Sequence, residues 1–231
     1  MDKFFLTVGL NPFSLISMPG KFWNRLAHEC DLWQKGLSRV AGVDEAGCGP
    51  LAGPVVAAAV VFPAALLESG LPAKFRGLND SKQLTSAERE QFFERITSLP
   101  EIQYGIASVD VETIDKINIR QAAWLAMDLA LRQLQPPPEH VLVDGIRIRW
   151  LAYPQTPLAQ GDARSYSIGA ASVLAKVTRD RAMCEFDKIF PGYGFAGHKG
   201  YSTPEHFAAI ERLGACSIHR KSFAPIKTLS P

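Results

Sequence analysis

The order of elements along the chain predicts an α/β domain built on a mixed sheet. Three observations carry this. Two strand-like apolar runs, at 39–45 and 54–62, are separated only by a glycine-rich loop. Helical and strand-like patterns then alternate to the end of the chain. The composition supports a sizeable core, since 47% of the 231 residues are hydrophobic.

Each element has its own signal. Trp23, Leu26, Cys30, Trp33 and Leu37 recur at three- and four-residue spacing, which predicts an amphipathic helix over 21–37 with Cys30 and the tryptophans packed inward. Residues 39–45 and Pro54–Phe62 read as adjacent buried strands. Residues 63–84 contain Pro63, Gly70, Pro72 and Gly77 and read as irregular. Thr85-Ser86-Ala87-Glu88 has the capping-box pattern and opens a helix to about Ser98. Residues 102–109 alternate as a strand, 111–135 read as one long helix stopped by Pro136-Pro137-Pro138, and 139–144 as another strand. A polar, Pro-containing stretch precedes Gly161-Asp162, then 165–189 form a helix ended by Pro191-Gly192. Thr203-Pro204-Glu205 starts a last helix to about Leu213.

Net charge is informative only when divided. Residues 1–162 hold 15 Lys/Arg against 18 Asp/Glu, a net of −3, and 163–231 hold 10 against 5, a net of +5. The acidic part suits cation binding and the basic part a polyanion. Cys30, Cys48, Cys184 and Cys216 show no zinc or C-x-x-C spacing, so a reduced, cytoplasmic protein is expected. Lys3–Leu10 faintly resembles a signal peptide, but Asn11-Pro12 breaks the apolar run, no A-x-A-like cleavage site follows, and residues 1–20 read as a poorly ordered extension. No apolar stretch has the length needed to span a bilayer.

The chemistry gathers at four acids. Val43-Asp44-Glu45 and Val143-Asp144-Gly145 each put carboxylates where an apolar strand meets glycine, and Asp162 follows Gly161. Glycine there lets a ligand approach the backbone closely. Clustered carboxylates repel unless a hard cation sits among them, and Mg²⁺ or Mn²⁺ takes oxygen ligands of this kind. Two such ions would serve both ends of a phosphodiester displacement. The turn reading of an isolated Asp-Gly remains open for Asp162. Gly47-Cys48-Gly49 offers backbone N–H groups to a phosphate or a ribose hydroxyl. Cys48 has no sequence-adjacent His to activate it as a nucleophile. Arg179 and Arg181 read as solvated, and His198, His206 and His219 as surface or phosphate-contacting residues without zinc spacing.

These blocks carry a resemblance. Asp44-Glu45-Ala46-Gly47-x-Gly49-Pro50-Leu51-Ala52-Gly53-Pro54, Asn79-Asp80-Ser81-Lys82, Val143-Asp144-Gly145, Gly161-Asp162 with Ala170–Val177, and His198-Lys199-Gly200-Tyr201 with His219–Pro225 resemble the type 2 ribonuclease H family. They occur in the family's order over roughly 39–227. The resemblance implies a ribonuclease H-like fold with a mixed five-stranded sheet. It implies a metal-dependent endonuclease that hydrolyses the RNA strand of RNA–DNA hybrids. It also implies cutting on the 5′ side of ribonucleotides in duplex DNA, leaving 3′-hydroxyl and 5′-phosphate ends. By the same resemblance Asp44, Glu45, Asp144 and Asp162 bind two Mg²⁺ or Mn²⁺ ions. Gly47, Cys48, Gly49, Lys82, Lys176 and Tyr201 contact substrate, Tyr201 packing on the sugar at the junction. In this family the loop normally reads Gly-Arg-Gly, so Cys48 removes a phosphate-binding guanidinium. The implied organisation is an extension over 1–38, a catalytic domain over 39–190 and a substrate-contacting helical segment over 191–231. The expected partner is nucleic acid, not a membrane, and the expected state a monomer. Two rivals are weaker. A carboxylate-pair glycosidase lacks sugar-stacking aromatics near the acids, and a non-catalytic hybrid-binding module would not need all four acids.

Overall fold

The computed structural model of the chain describes residues 25–67 and 72–229. Its sheet has five strands in the order β3-β2-β1-β4-β5. They are β1 (Val40–Ala46), β2 (Val55–Val61), β3 (Gln103–Val109), β4 (His140–Asp144) and β5 (Gln155–Leu158). The first three pair antiparallel, and β4 and β5 join β1 in parallel, which makes the sheet mixed.

The sheet is buried on both faces, as the near-continuous apolar runs of β1 and β2 require. Val40, Ala58, Val60 and Leu142 face one side, against helix α7 (Tyr166–Ile189). Ala41, Val43, Ala57, Ala59 and Val143 face the other, against α5 (Ile119–Leu131). Helix α7 lies directly on β1 at Gly42, where a Cβ would fall 2.2 Å from the Ser167 carbonyl carbon. Any larger residue there would push the helix off the strand. Around this layer stand α1 (Ala27–Gln34), the short α2 (Ala64–Leu67) and α3 (Ser86–Thr97), whose capping box forms as expected. Trp33 of α1 is buried and Cys30 packs against the same core; Trp23 lies outside the described residues.

Three expectations about the elements are corrected. The helix over 111–135 is two helices, α4 (Val111–Ile117) and α5, broken at Asn118. Asn118 takes a positive φ of 69° and its side chain accepts a hydrogen bond from Gln121 N, so a residue that tolerates the left-handed region starts a new helix. The polar stretch before Gly161 contains a strand. Pro157 is acceptable because β5 is a sheet edge. The segment 63–84 is not wholly irregular: besides α2 it has two 3₁₀ turns, Ala73–Phe75 and Ser81–Gln83.

The C-terminal part adds α8 (Phe195–His198), α9 (Pro204–Leu213) and α10 (Ile226–Leu229). His206 and His219 are buried here, not on the surface, and their Nε2 atoms lie 3.1 Å apart. His198 is half-buried and its ring stacks on His206 at 4.4 Å. Burial and then the neighbouring His206 hold His219 down to about 4, from an ordinary 6.5. The unfolded chain therefore binds this proton first. The stability contributed by neutral His219 is present above pH 6.5 and is lost as pH falls toward 4. At 1.36 kcal/mol per pKa unit the loss approaches about 3 kcal/mol. Thermal midpoints measured from pH 7 to 4.5 should show it, and a double His206→Asn, His219→Asn variant should show a flatter profile.

Candidate active site

Strands β1 and β4 run parallel with Val43 opposite Val143, so both end at one edge of the sheet and deliver Asp44 and Asp144 there. Glu45 follows on β1. Asp162 arrives on α6 (Gly161–Arg164), directly after β5, whose Leu158 pairs with Asp144. Gly161 N donates to Asp144 Oδ1 at 2.6 Å, which ties this helix to β4. Asp162 is thus buried in the first turn of a helix, not in a free turn. The sheet brings all four acids to one place.

Their electrostatics show the crowding. Burial, then the Glu45 and Asp144 carboxylates, push Asp44 well above the usual range. Burial also raises Glu45, with Asp144 adding to it and a Cys48 hydrogen bond opposing. Asp162 is raised by burial and by Asp80 and Asp144, while Lys82 opposes. Lys82 Nζ stands 3.6 Å from Asp162 Oδ2. Burial works against the Lys82 charge, but Asp80, Asp162, Asp44 and Asp144 together hold its pKa up. The donors are all carboxylate oxygens, the set that Mg²⁺ and Mn²⁺ prefer. Among the described residues no group of three or more His, Cys, Asp or Glu side chains is arranged so that it could hold a metal ion.

Beside the acids lies a cleft of about 270 Å³ lined by Glu45, Gly47, Cys48, Gly49, Ser81, Lys82, Ser172, Lys176 and Tyr201. It gathers every substrate-contact residue expected from the sequence. Tyr201 is 41% exposed, and Lys176 Nζ lies 5.8 Å from its ring centroid. Lys176 is also paired with Asp180 at 2.7 Å. Ser81 and Ser172, joined by a 2.9 Å hydrogen bond, line the cleft, and Ser172 opposes the rise at Asp44. The Asn79–Lys82 turn is capped by Asp80, which accepts from Lys82 N. Cys48 donates its thiol to Glu45 Oε1 at 3.4 Å. Burial and the Glu45 charge push that thiol far up, so it stays protonated and is no nucleophile.

The loop after β1 is held from behind by two arginines. Arg179, on α7, is fully buried rather than solvated. It donates to the carbonyls of Pro54, Ala52 and Lys199, each at 3.0 Å. Arg220 donates to Gly47 O at 2.6 Å, Gly53 O at 2.9 Å, Cys48 O at 3.1 Å and Pro54 O at 3.3 Å. Gly47 has a φ of 99°, and a Cβ there would fall 2.1 Å from Arg179 Nε. The glycine is required by both conformation and space. Arg181 matches its expected exposure, pairing with Glu90 at the surface. Sequence reading missed the arginine brace. The available signal was spacing: Arg179 lies seven residues after Ser172 and four before Met183, on one buried stripe of α7.

The model of the ribonuclease HII family matches residues 41–226. A ribonuclease HII of Anaeromyxobacter sp. is 50% identical over 202 residues, covering 87% of this chain and 62% of that protein. One from Geobacillus thermodenitrificans is 50% identical over 206 residues, covering 89% of this chain and 76% of that protein. Among solved structures, the ribonuclease H2 of Pyrococcus horikoshii superposes with a TM-score of 0.69 at 26% identity, covering 83% of this chain and 96% of that one. The chain belongs to the ribonuclease HII family and is an endoribonuclease, a phosphodiester hydrolase of the ribonuclease H type.

Proposed function

We propose that this chain cuts on the 5′ side of ribonucleotides embedded in duplex DNA, and hydrolyses the RNA strand of RNA–DNA hybrids, leaving 3′-hydroxyl and 5′-phosphate ends. The observation that carries the reading is the four-carboxylate edge of the sheet lying against a glycine loop and an exposed tyrosine. Asp44, Glu45, Asp144 and Asp162 would hold Mg²⁺ or Mn²⁺, two ions when substrate is present. Bound there, the metal would stabilise charge on the attacking and leaving oxygens of an in-line hydrolysis.

The chain's own residues do the positioning. Gly47 and Gly49 let the loop backbone meet the ribose, whose 2′-hydroxyl distinguishes RNA from DNA. Lys82 supplies a point charge for the phosphate beside Asp162. Tyr201 packs on the sugar next to the junction. The segment 191–231 contributes Tyr201 to the substrate side and the Arg220 brace to the far side of the loop. The contribution of 163–231 to phosphate binding is smaller than its +5 balance suggests, because Arg179 and Arg220 are spent on loop carbonyls.

The test is a DNA duplex with one ribonucleotide, assayed with Mg²⁺ or Mn²⁺ and again after chelation. One cut 5′ of the ribonucleotide, dependent on metal, is the expected result; no cut under either metal rejects the reading. Tyr201→Ala should slow that cut by about a hundredfold, the order expected when a reacting group is misplaced by an ångström. Equal rates for the two proteins would return Tyr201 to a packing role.

A further inference from the structure

Asp162 differs from the other three acids in not being carried by a strand. It sits on a helix of four residues, too short to fix itself from within. Its main chain is held from outside, by the segment that precedes the catalytic strands. The Arg25 guanidinium donates to Asp162 O and to Leu78 O, and at 3.4 Å to Ser165 O. It lies 4.6 Å from the Tyr166 ring centroid. A Cβ on Gly169 would fall 2.8 Å from Arg25 Nη2 and 3.0 Å from Asp162 O, so glycine leaves room for this contact. One turn further on, Glu29 is fully buried and accepts from Ser165 Oγ at 2.6 Å and Ser167 N at 3.1 Å. Ser165 is the N-cap of α7, the residue where α6 passes into the long helix.

Arg25 therefore joins two stretches of chain: Leu78, just before the turn that carries Lys82, and Asp162, the carboxylate that Lys82 faces. Glu29 fixes the junction behind it. We propose that Arg25 and Glu29 are positioning residues for Asp162, setting its affinity for metal through the main chain without touching metal or substrate. The inference rests on the metal-binding reading of Asp162 above.

The experiment is Mn²⁺ binding to the full chain, read from the electron paramagnetic resonance of free Mn²⁺ and from the rise in thermal midpoint with Mn²⁺. Arg25→Met should weaken Mn²⁺ binding by about tenfold, the lower end of what removing a partner of a metal ligand does. Arg25→Lys keeps the charge but not the three-way fork, and should fall between the two. In both, the KM for the duplex should stay near wild type, while turnover lost at low Mn²⁺ should return as Mn²⁺ is raised. Leu32→Ala removes a buried, apolar α1 side chain that makes no hydrogen bond to these groups, and controls for general loosening of the helix. It should lower the thermal midpoint without changing Mn²⁺ affinity. Wild-type affinity in folded Arg25→Met or Arg25→Lys, with affinity lost in Asp162→Asn, overturns this inference alone. Unchanged affinity in Asp162→Asn overturns the metal role of Asp162 and this inference with it.

Discussion

Asp44→Asn and Asp144→Asn are each expected to abolish cleavage while leaving duplex binding intact. Metal-assisted charge stabilisation supplies several kcal/mol to the transition state. At 1.36 kcal/mol per tenfold, the loss is at least about a thousandfold in turnover. Binding persists because the loop, Lys82 and Tyr201 are untouched. The stability effect has the opposite sign. The folded-state pKa of Asp44 lies above its ordinary 3.8, so the folded state prefers the neutral acid. The stabilising effect of protonation is complete below 3.8 and is lost as pH rises through the folded value. At neutral pH the ionised carboxylate is destabilising, and asparagine mimics the neutral form. The metal-free Asp44→Asn protein should therefore melt at or above the wild-type midpoint, and Mn²⁺ should raise the midpoint of the wild type more. Quenched-flow cleavage, duplex binding and thermal melts decide it. Substantial turnover of Asp144→Asn at saturating Mg²⁺ would remove the acids from the site.

Arg220→Met should be the most damaging change outside the acids. It leaves the carbonyls of Gly47, Cys48 and Gly53 without their donor, in a loop whose other side lines the cleft. Each orphaned buried acceptor costs about 1–3 kcal/mol, reduced where water can enter. A total of about 3–5 kcal/mol, or roughly 10 °C in midpoint for a chain of this size, is expected. Turnover should also fall at temperatures where the protein remains folded, because the loop at 47–54 loses its fixed shape. Arg181→Ala, at an exposed ion pair, should change stability by less than about 0.5 kcal/mol. Similar midpoints for the two variants would mean that Arg220 is not the brace described.

The sheet and the acids were legible because their signals are local. An apolar run that ends in Asp-Glu or Asp-Gly says where a strand stops and what it carries. The same logic missed β5, since a four-residue edge strand with Pro157 has neither length nor alternation. It merged α4 and α5, since the periodicity continues through Asn118 and only the backbone conformation changes. It placed Arg179, His206 and His219 outside, since polar type normally predicts exposure. What buries them is a long-range match with carbonyls or with each other, which no local window contains. Cys48 was visible as a departure from the family loop. Its pairing with Glu45, and the arginines standing behind the loop, were not.

The loop's staples come late in the chain. Ala52 bridges to His219, Gly53 N bonds to Ile218 O, and Arg220 lies 173 residues after Gly47. At synthesis rates of about 5–20 residues per second, that separation corresponds to roughly 10–35 s. For the last 58 residues of that stretch, from Asp162 to Arg220, the nascent chain carries all four acids while its loop lacks the Arg220 brace. A chain stalled between Asp162 and Arg220 therefore carries all four carboxylates beside a loop that Arg220 does not yet brace.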